Sequence, residues 1–310
     1  YNYKPHTKYS PGFPAMIAGV NYLVGTPEKT TDSFLALNIM VSLCAIGSFV
    51  FFYLILRELR SPPLLTFLVL LFFGLSRTLY YYSAHIMSDV PFTFFAMVAL
   101  WGAIKMVRTD CPGVEWGSCL LTAVFAAAGS MIRPVGPLLV PAVGVGLWLR
   151  RDSLKKWKSR AVQTLLVIVS VAVPVMLWSR WTSSVAVAGE KQYFRNAFTL
   201  HKFLNVFLSP ILKLPAHLEG LSETVCGTET GVIAGSLILV VMLVGLGKWL
   251  WEGEWTINTF AVLCFGVIIA GGWHLKDRYL LPALPAIFYW VVLGRVTVAG
   301  WLRDNTYYLN

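Results

Sequence analysis

Residues 150–179 read RRDSLKKWKSR and then AVQTLLVIVSVAVPVMLWS, six basic residues and one Asp followed by nineteen positions with no charge. The second part is close to the roughly 20 apolar residues with which a helix crosses a bilayer. The first part is the strongest cytoplasmic mark in the chain, because Lys and Arg beside a span are held on that side. Eight more stretches carry no charge: 33–56, 61–76, 90–104, 116–132, 134–149, 230–247, 255–275 and 279–294. The shorter ones extend their reach with aromatic or snorkelling residues at their ends. The expected fold is all-α: a polytopic membrane protein of about nine transmembrane helices, with short interfacial helices on the extracytoplasmic side.

Composition agrees. Of 310 residues, 57% are hydrophobic, and the mean hydropathy of +0.67 lies far above that of a soluble domain. The chain reads as one membrane-embedded unit over 1–310. A net charge of +10 raises the question of nucleic acid. The excess sits in short loops between apolar spans, where it sets topology instead, so nucleic acid is excluded as a partner.

Counting crossings outward from 150–160 places Arg57, Arg60, Lys105, Arg108, Lys248, Arg295 and Arg303 on the cytoplasmic side. The opposite short loops hold four basic residues against thirteen. The segment 1–32 and the loop 180–229 are then external. Trp148, Trp157, Trp249 and Trp251 are expected near inner edges, and Tyr80, Tyr81 and Tyr82 at an outer one. The cysteines show no metal-ligand spacing. Cys44 and Cys264 read as small buried hydrophobes, and Cys226 is the single cysteine on the outer face, so no intramolecular disulfide is expected there.

All five histidines, His6, His85, His201, His217 and His274, fall on the outer face, with Lys8, Asp89 and Arg278. Ionisable groups gathered on one face point to an enzyme acting there rather than to a channel. Four segments carry them. In Lys4–Pro14 three prolines forbid a regular helix, a lysine is able to bind phosphate as a point charge, and the apolar run to Gly25 reads as a helix lying on the outer surface. In YYYSAHIMSDVP, residues 80–91, Asp89 opens a span. It either caps the helix with Ser88, or binds substrate hydroxyls or orients a basic partner. Arg133, at an outer hinge before Pro134, either snorkels or grips a lipid phosphate through its fork. Lastly, His274, Lys276, Asp277 and Arg278 crowd a hairpin too short to be a domain, followed by Tyr279.

In this order, KYSPGFPAMIAGV, SAHIMSDVPFTFFAMVAL, GSMIRPVGPLLVPA and RYLLPALPAIFYW resemble segments of the polytopic transferases that use polyprenyl-phosphate sugars. These are the protein O-mannosyltransferases and the lipid A aminoarabinose transferase, with the C-type glycosyltransferase fold. The resemblance implies a glycosyltransferase, hexosyl or pentosyl, acting at the extracytoplasmic face of the plasma (inner) membrane. Its partners would be a polyprenyl-phosphate sugar donor and a lipid, glycan or protein acceptor. It implies Asp89 as a catalytic acid. It implies Lys8 and Arg278, with Arg133, as ligands of the donor phosphate. His85, His274, Lys276, Asp277 and Tyr279 would line the substrate site. In that family a principal catalytic carboxylate lies just before the segment matching Lys8–Pro14. It is therefore expected upstream of Tyr1, together with a first transmembrane helix and a first external loop. No cofactor is assured. Some members use a divalent metal, for which His6, His85 and His274 are candidate ligands without a fixed spacing. The competing reading is a transporter or flippase of a lipid-linked sugar, which would place polar groups near the bilayer midplane.

Overall fold

The computed structural model describes residues 10–24, 30–109, 111–149, 157–185, 231–270 and 280–306. Among them the chain forms eleven α-helices, one short 3-10 turn and no strand. The helices are α1 (Gly12–Val24), α2 (Thr30–Glu58), α3 (Pro63–Gly74), α4 (Arg77–Ser83), α5 (Asp89–Arg108), α6 (Pro112–Ile132), α7 (Leu139–Trp148), α8 (Trp157–Val185), α9 (Gly231–Trp251), α10 (Trp255–Ala270) and α11 (Leu284–Thr306). The 3-10 turn, Gly136–Leu138, leads into α7.

Every uncharged stretch holds a helix. Among the described residues six helices are long and apolar enough to cross a bilayer, or up to seven if the pair α3 and α4, bent by 50°, is one span. The break has a local cause: the Ser76 hydroxyl accepts a hydrogen bond from the Leu79 N–H at 3.1 Å, and so starts a new helix. The segments Gly136–Trp148 and Trp255–Val267 are apolar but shorter than a span. In the first, Pro134 and Pro137 use residues in a turn that would otherwise lengthen the helix.

Helix α5 is the centre of the bundle. It packs against α2, α6 and α7, and 72% of its apolar window is buried against 17% in α8 and 22% in α9. The outer helices present large apolar side chains such as Leu43, Leu177 and Leu237 outward, as a lipid-facing surface must. Trp148, Trp157 and Trp251 are exposed near helix ends, as anchors should be. Trp249 is not. It is buried with its ring centroid 4.0 Å from that of Tyr289, because its face of α9 turns toward α11. Cys44 and Cys264 are buried and free, as expected.

Lipid gives helices little hydrophobic reason to associate, so small residues that allow close packing carry much of the specificity. Between α9 and α11, a Cβ added at Gly245 would lie 1.8 Å from the Trp290 carbonyl oxygen, and one at Gly294 would lie 1.9 Å from that of Val241. A buried amide supports the same region: the Trp290 indole N–H donates to Asn258 Oδ1 at 2.7 Å, joining α11 to α10. Gly245→Ala is therefore expected to force α9 from α11 and to destabilise the protein by about 1–3 kcal/mol. Gly247→Ala, whose Cβ meets nothing within 4 Å, should be neutral or slightly stabilising. Thermal unfolding of the two variants in detergent checks this, and equal midpoints would contradict the close α9–α11 contact.

Candidate functional site

The helices α5 and α6 form an antiparallel hairpin of nearly equal arms, 20 and 21 residues. Matched arms bring the first residue of α5, Asp89, beside the residue that ends α6, Arg133. The sequence fixes both ends. Proline disfavours helical backbone in the residue before it, and Arg133, preceding Pro134, is extended at φ −137 and ψ 140. The chain then turns back tightly: the Gly136 N–H donates to the Arg133 carbonyl at 2.9 Å. A Cβ at Gly136 would lie 2.3 Å from Ser130 Cα, so only glycine fits that turn.

Arg133 Nη2 forms an ion pair with Asp89 Oδ1, and the Asp89 side chain is only 5% exposed. A carboxylate this buried needs a partner, because desolvation penalises the lone charge. The pair bears on the capping role open to Asp89 in the sequence. Ser88 is the N-cap of α5, yet its side chain makes no capping bond. The Asp89 carboxylate turns to Arg133, while its carbonyl accepts a hydrogen bond from the Thr93 hydroxyl at 2.8 Å. Asp89 thus has a basic partner in Arg133, and the Arg133 guanidinium is engaged by a buried acid.

The proline-rich segment reaches the same end. A Cβ at Gly12 would lie 2.6 Å from the Met131 carbonyl oxygen, so the start of α1 rests directly on the last turn of α6. Helix α1 packs on α2 and α6, buries no residue, and leaves Tyr22 and Leu23 more than four-fifths exposed. This fits the expected surface-lying helix. Thus Gly12, Asp89 and Arg133, from three separate sequence segments, share one end of the bundle. His85, four residues before Asp89, donates from Nδ1 to the Tyr81 carbonyl at 2.6 Å and stacks on that ring at 4.3 Å. Lys8, His6, His274, Lys276, Asp277, Arg278 and Tyr279 lie outside the described residues. After that hairpin, Leu280 and Leu281 are fully buried in the core. Among the described residues, no three His, Cys, Asp or Glu side chains come together as a metal site would require.

A polar cleft of about 460 Å³ opens at the opposite end, lined by Glu58, Arg60, Arg108, Glu252 and Glu254. Three of these side chains, those of Arg108, Glu252 and Glu254, are held in polar contacts. Arg108 pairs with Glu254 and donates to the Glu58 carbonyl at 2.7 Å, and Lys248 pairs with Glu252 at 3.4 Å. Arg108 ties the end of α2 to the start of α10, a structural role that the sequence reading took for a topology mark alone. The pairing of Asp89 with Arg133 was missed too, although equal hairpin arms were a usable signal for it.

Breaking the buried pair by Arg133→Gln should cost about 3–5 kcal/mol, because it strands the Asp89 charge. Adding Asp89→Asn should recover much of that loss. Thermal unfolding of the two single variants and the double variant measures the coupling, and additive losses would show that the two groups do not interact.

The sequence pattern of the dolichyl-phosphate-mannose-protein mannosyltransferase family matches residues 6–178, more than half of the chain. The match spans Lys8–Pro14, Asp89 and Arg133 in one run. No curated protein and no solved structure matches the chain. The chain therefore belongs to the dolichyl-phosphate-mannose-protein mannosyltransferase family, and so to the multi-pass membrane glycosyltransferases that draw on a lipid-linked sugar donor.

Proposed function

We propose that the chain transfers a sugar from a polyprenyl-phosphate donor to a hydroxyl-bearing acceptor at the extracytoplasmic face, at the end of the bundle that holds Asp89 and Arg133. The observation that carries this is the buried Asp89–Arg133 pair beside the docked start of α1. The side is argued from charge. The basic segment 150–160 leads into α8 at the other end, so the Asp89 end is the extracytoplasmic one.

In the proposed reaction the acceptor oxygen bonds to the anomeric carbon as the bond from that carbon to the donor phosphate oxygen breaks. The acceptor proton passes to a carboxylate, and the lipid phosphate leaves with the bonding electrons. Asp89 accepts hydrogen bonds from the reacting hydroxyls, held in place by Arg133. Lys8 and Arg278, with the Arg133 charge behind them, stabilise the departing phosphate. His85, His274, Lys276, Asp277 and Tyr279 shape the sugar and acceptor site. The family name makes a mannosyl donor the first to try, with lipid, glycan and protein acceptors compared. The transporter reading gains no support: the buried charged residues described, Asp89, Glu115 and Arg160, all lie in the first turn or so of a helix, not near a midplane.

Asp89→Asn should lower transfer from a polyprenyl-phosphate mannose by about a hundredfold or more, with the protein still inserted and folded. Lys8→Ala and Arg278→Ala should each weaken donor binding by about 1.5–3 kcal/mol, and the double variant by less than the sum if both grip one phosphate. Transfer and donor-binding assays in proteoliposomes read these effects. Wild-type activity in Asp89→Asn would remove that residue from the site.

A further inference from the structure

The polar cleft at the end of the bundle away from Asp89 holds more charge than its own contacts use. Its volume is about 460 Å³, and Gly146 and Thr256 line it together with the charged residues already named. Arg108 offsets Glu254, and Lys248 offsets Glu252. One acid and one base remain, Glu58 and Arg60. Among the described residues neither side chain has an ion-pair or hydrogen-bond partner, and the two are not paired with each other. Arg60 also has a left-handed backbone, at φ 55, a conformation that residues with a side chain avoid. It turns the chain at the end of α2 so that Arg60 lines the cleft. The wall holds a third uncommitted group. Thr256, the second residue of α10, is only 5% exposed, and its hydroxyl has no hydrogen-bond partner among the described residues. Gly146 of α7 makes room for that hydroxyl, because an added Cβ there would collide with its oxygen. A buried hydroxyl is costly to leave unmatched.

These groups call for a ligand of both signs. An anion alone would match Arg60 and leave Glu58, and a cation alone would do the reverse. The level of the cleft narrows the choice. Glu58 and Arg108 are the last residues of the spans Ser33–Glu58 and Asp89–Arg108, so the cleft lies where lipid headgroups lie. Trp251, next to Glu252 in sequence, is almost wholly exposed, as an interfacial anchor is. Ile104 and Val107 give the lining an apolar side. We propose that the cleft binds a phosphoethanolamine group, the headgroup of phosphatidylethanolamine. The phosphate accepts hydrogen bonds from Arg60 and the Thr256 hydroxyl, and the ammonium donates to Glu58. Other headgroups fit less well. Choline has no N–H to donate, glycerol has no cation, and serine adds a carboxylate to a cleft whose remaining charges are already balanced. The site uses neither Asp89 nor sugar transfer, and it stands whichever side of the membrane this end faces.

The test uses the full chain in detergent, with lipid binding read by native mass spectrometry. Dioleoyl phosphatidylethanolamine should bind about tenfold more tightly than the choline, glycerol or serine lipid with the same chains. Methylating the amine one step at a time should weaken binding, with the largest loss at the third methyl, which removes the last N–H. A flat series overturns the proposal, and it needs no variant that must fold. Glu58→Gln should bring the ethanolamine and choline lipids to within about twofold of each other. Arg60→Gln should weaken the ethanolamine lipid by about tenfold. Full ethanolamine preference in Glu58→Gln, or unchanged binding in Arg60→Gln, overturns it. Soluble glycerophosphoethanolamine identifies the source of the group. Displacement of the lipid at equal concentration supports a soluble phosphoethanolamine as the ligand, and no displacement supports the lipid. Binding is read without transfer, so an inactive wild type would defeat the proposed function and leave this result intact.

Discussion

A buried carboxylate at the edge of a bilayer persists only if a cation reaches it, and here that cation is Arg133. The rest of the site depends on this contact. Coulomb attraction strengthens as water is excluded, but so does the penalty for either charge alone. The pair therefore constrains the α5–α6 hairpin at one end as firmly as its short connection does at the other. It fixes the direction of the chain leaving α6, and the Pro134–Gly136 turn follows from that direction. It also fixes the last turn of α6 as the surface on which Gly12 rests.

The two ends of the bundle use charge differently. At the α2–α5–α10 end, Arg108 bonds a carbonyl and a carboxylate from two other elements, so its role is to hold helix ends together. Carbonyls at a helix C-terminus and acids near an N-terminus are the groups a cation and a helix dipole favour there. At the other end the buried Asp89–Arg133 pair sits beside the start of α1, which is docked on the last turn of α6. The first arrangement ties Arg108 to two other elements. The second fixes an acid in place at one end of the bundle, the end at which we propose that transfer occurs.

Much of this was legible in the sequence. Uncharged stretches of near-span length located the helices, because a backbone in lipid must satisfy its own hydrogen bonds. Asp89 and Arg133 were picked out because an isolated charge beside an apolar span needs a reason. Three things were not legible. Span counting put the residues after 76 in an outer loop, whereas the Ser76 cap starts a second helix there, α4, bent by 50° from α3, through a bond between neighbours that hydropathy does not register. Trp249 looked like an edge anchor, because distance from the helix end says nothing of which face meets a neighbour. The contact of Asp89 with Arg133 was not legible either, because pairing depends on the register of two helices and not on either segment alone.

The central claim is that the Asp89 end faces the outside while the Arg108 end faces the cytoplasm, and cysteine accessibility tests it most directly. Tyr80, on α4 near Asp89, and Cys111, at the start of α6 near Arg108, are both exposed. In intact cells carrying Cys226→Ser, a membrane-impermeant thiol reagent should label Tyr80→Cys and leave Cys111 unmodified until the membrane is permeabilised. Labelling of Cys111 from outside, with protection of the cysteine introduced at position 80, would contradict the account.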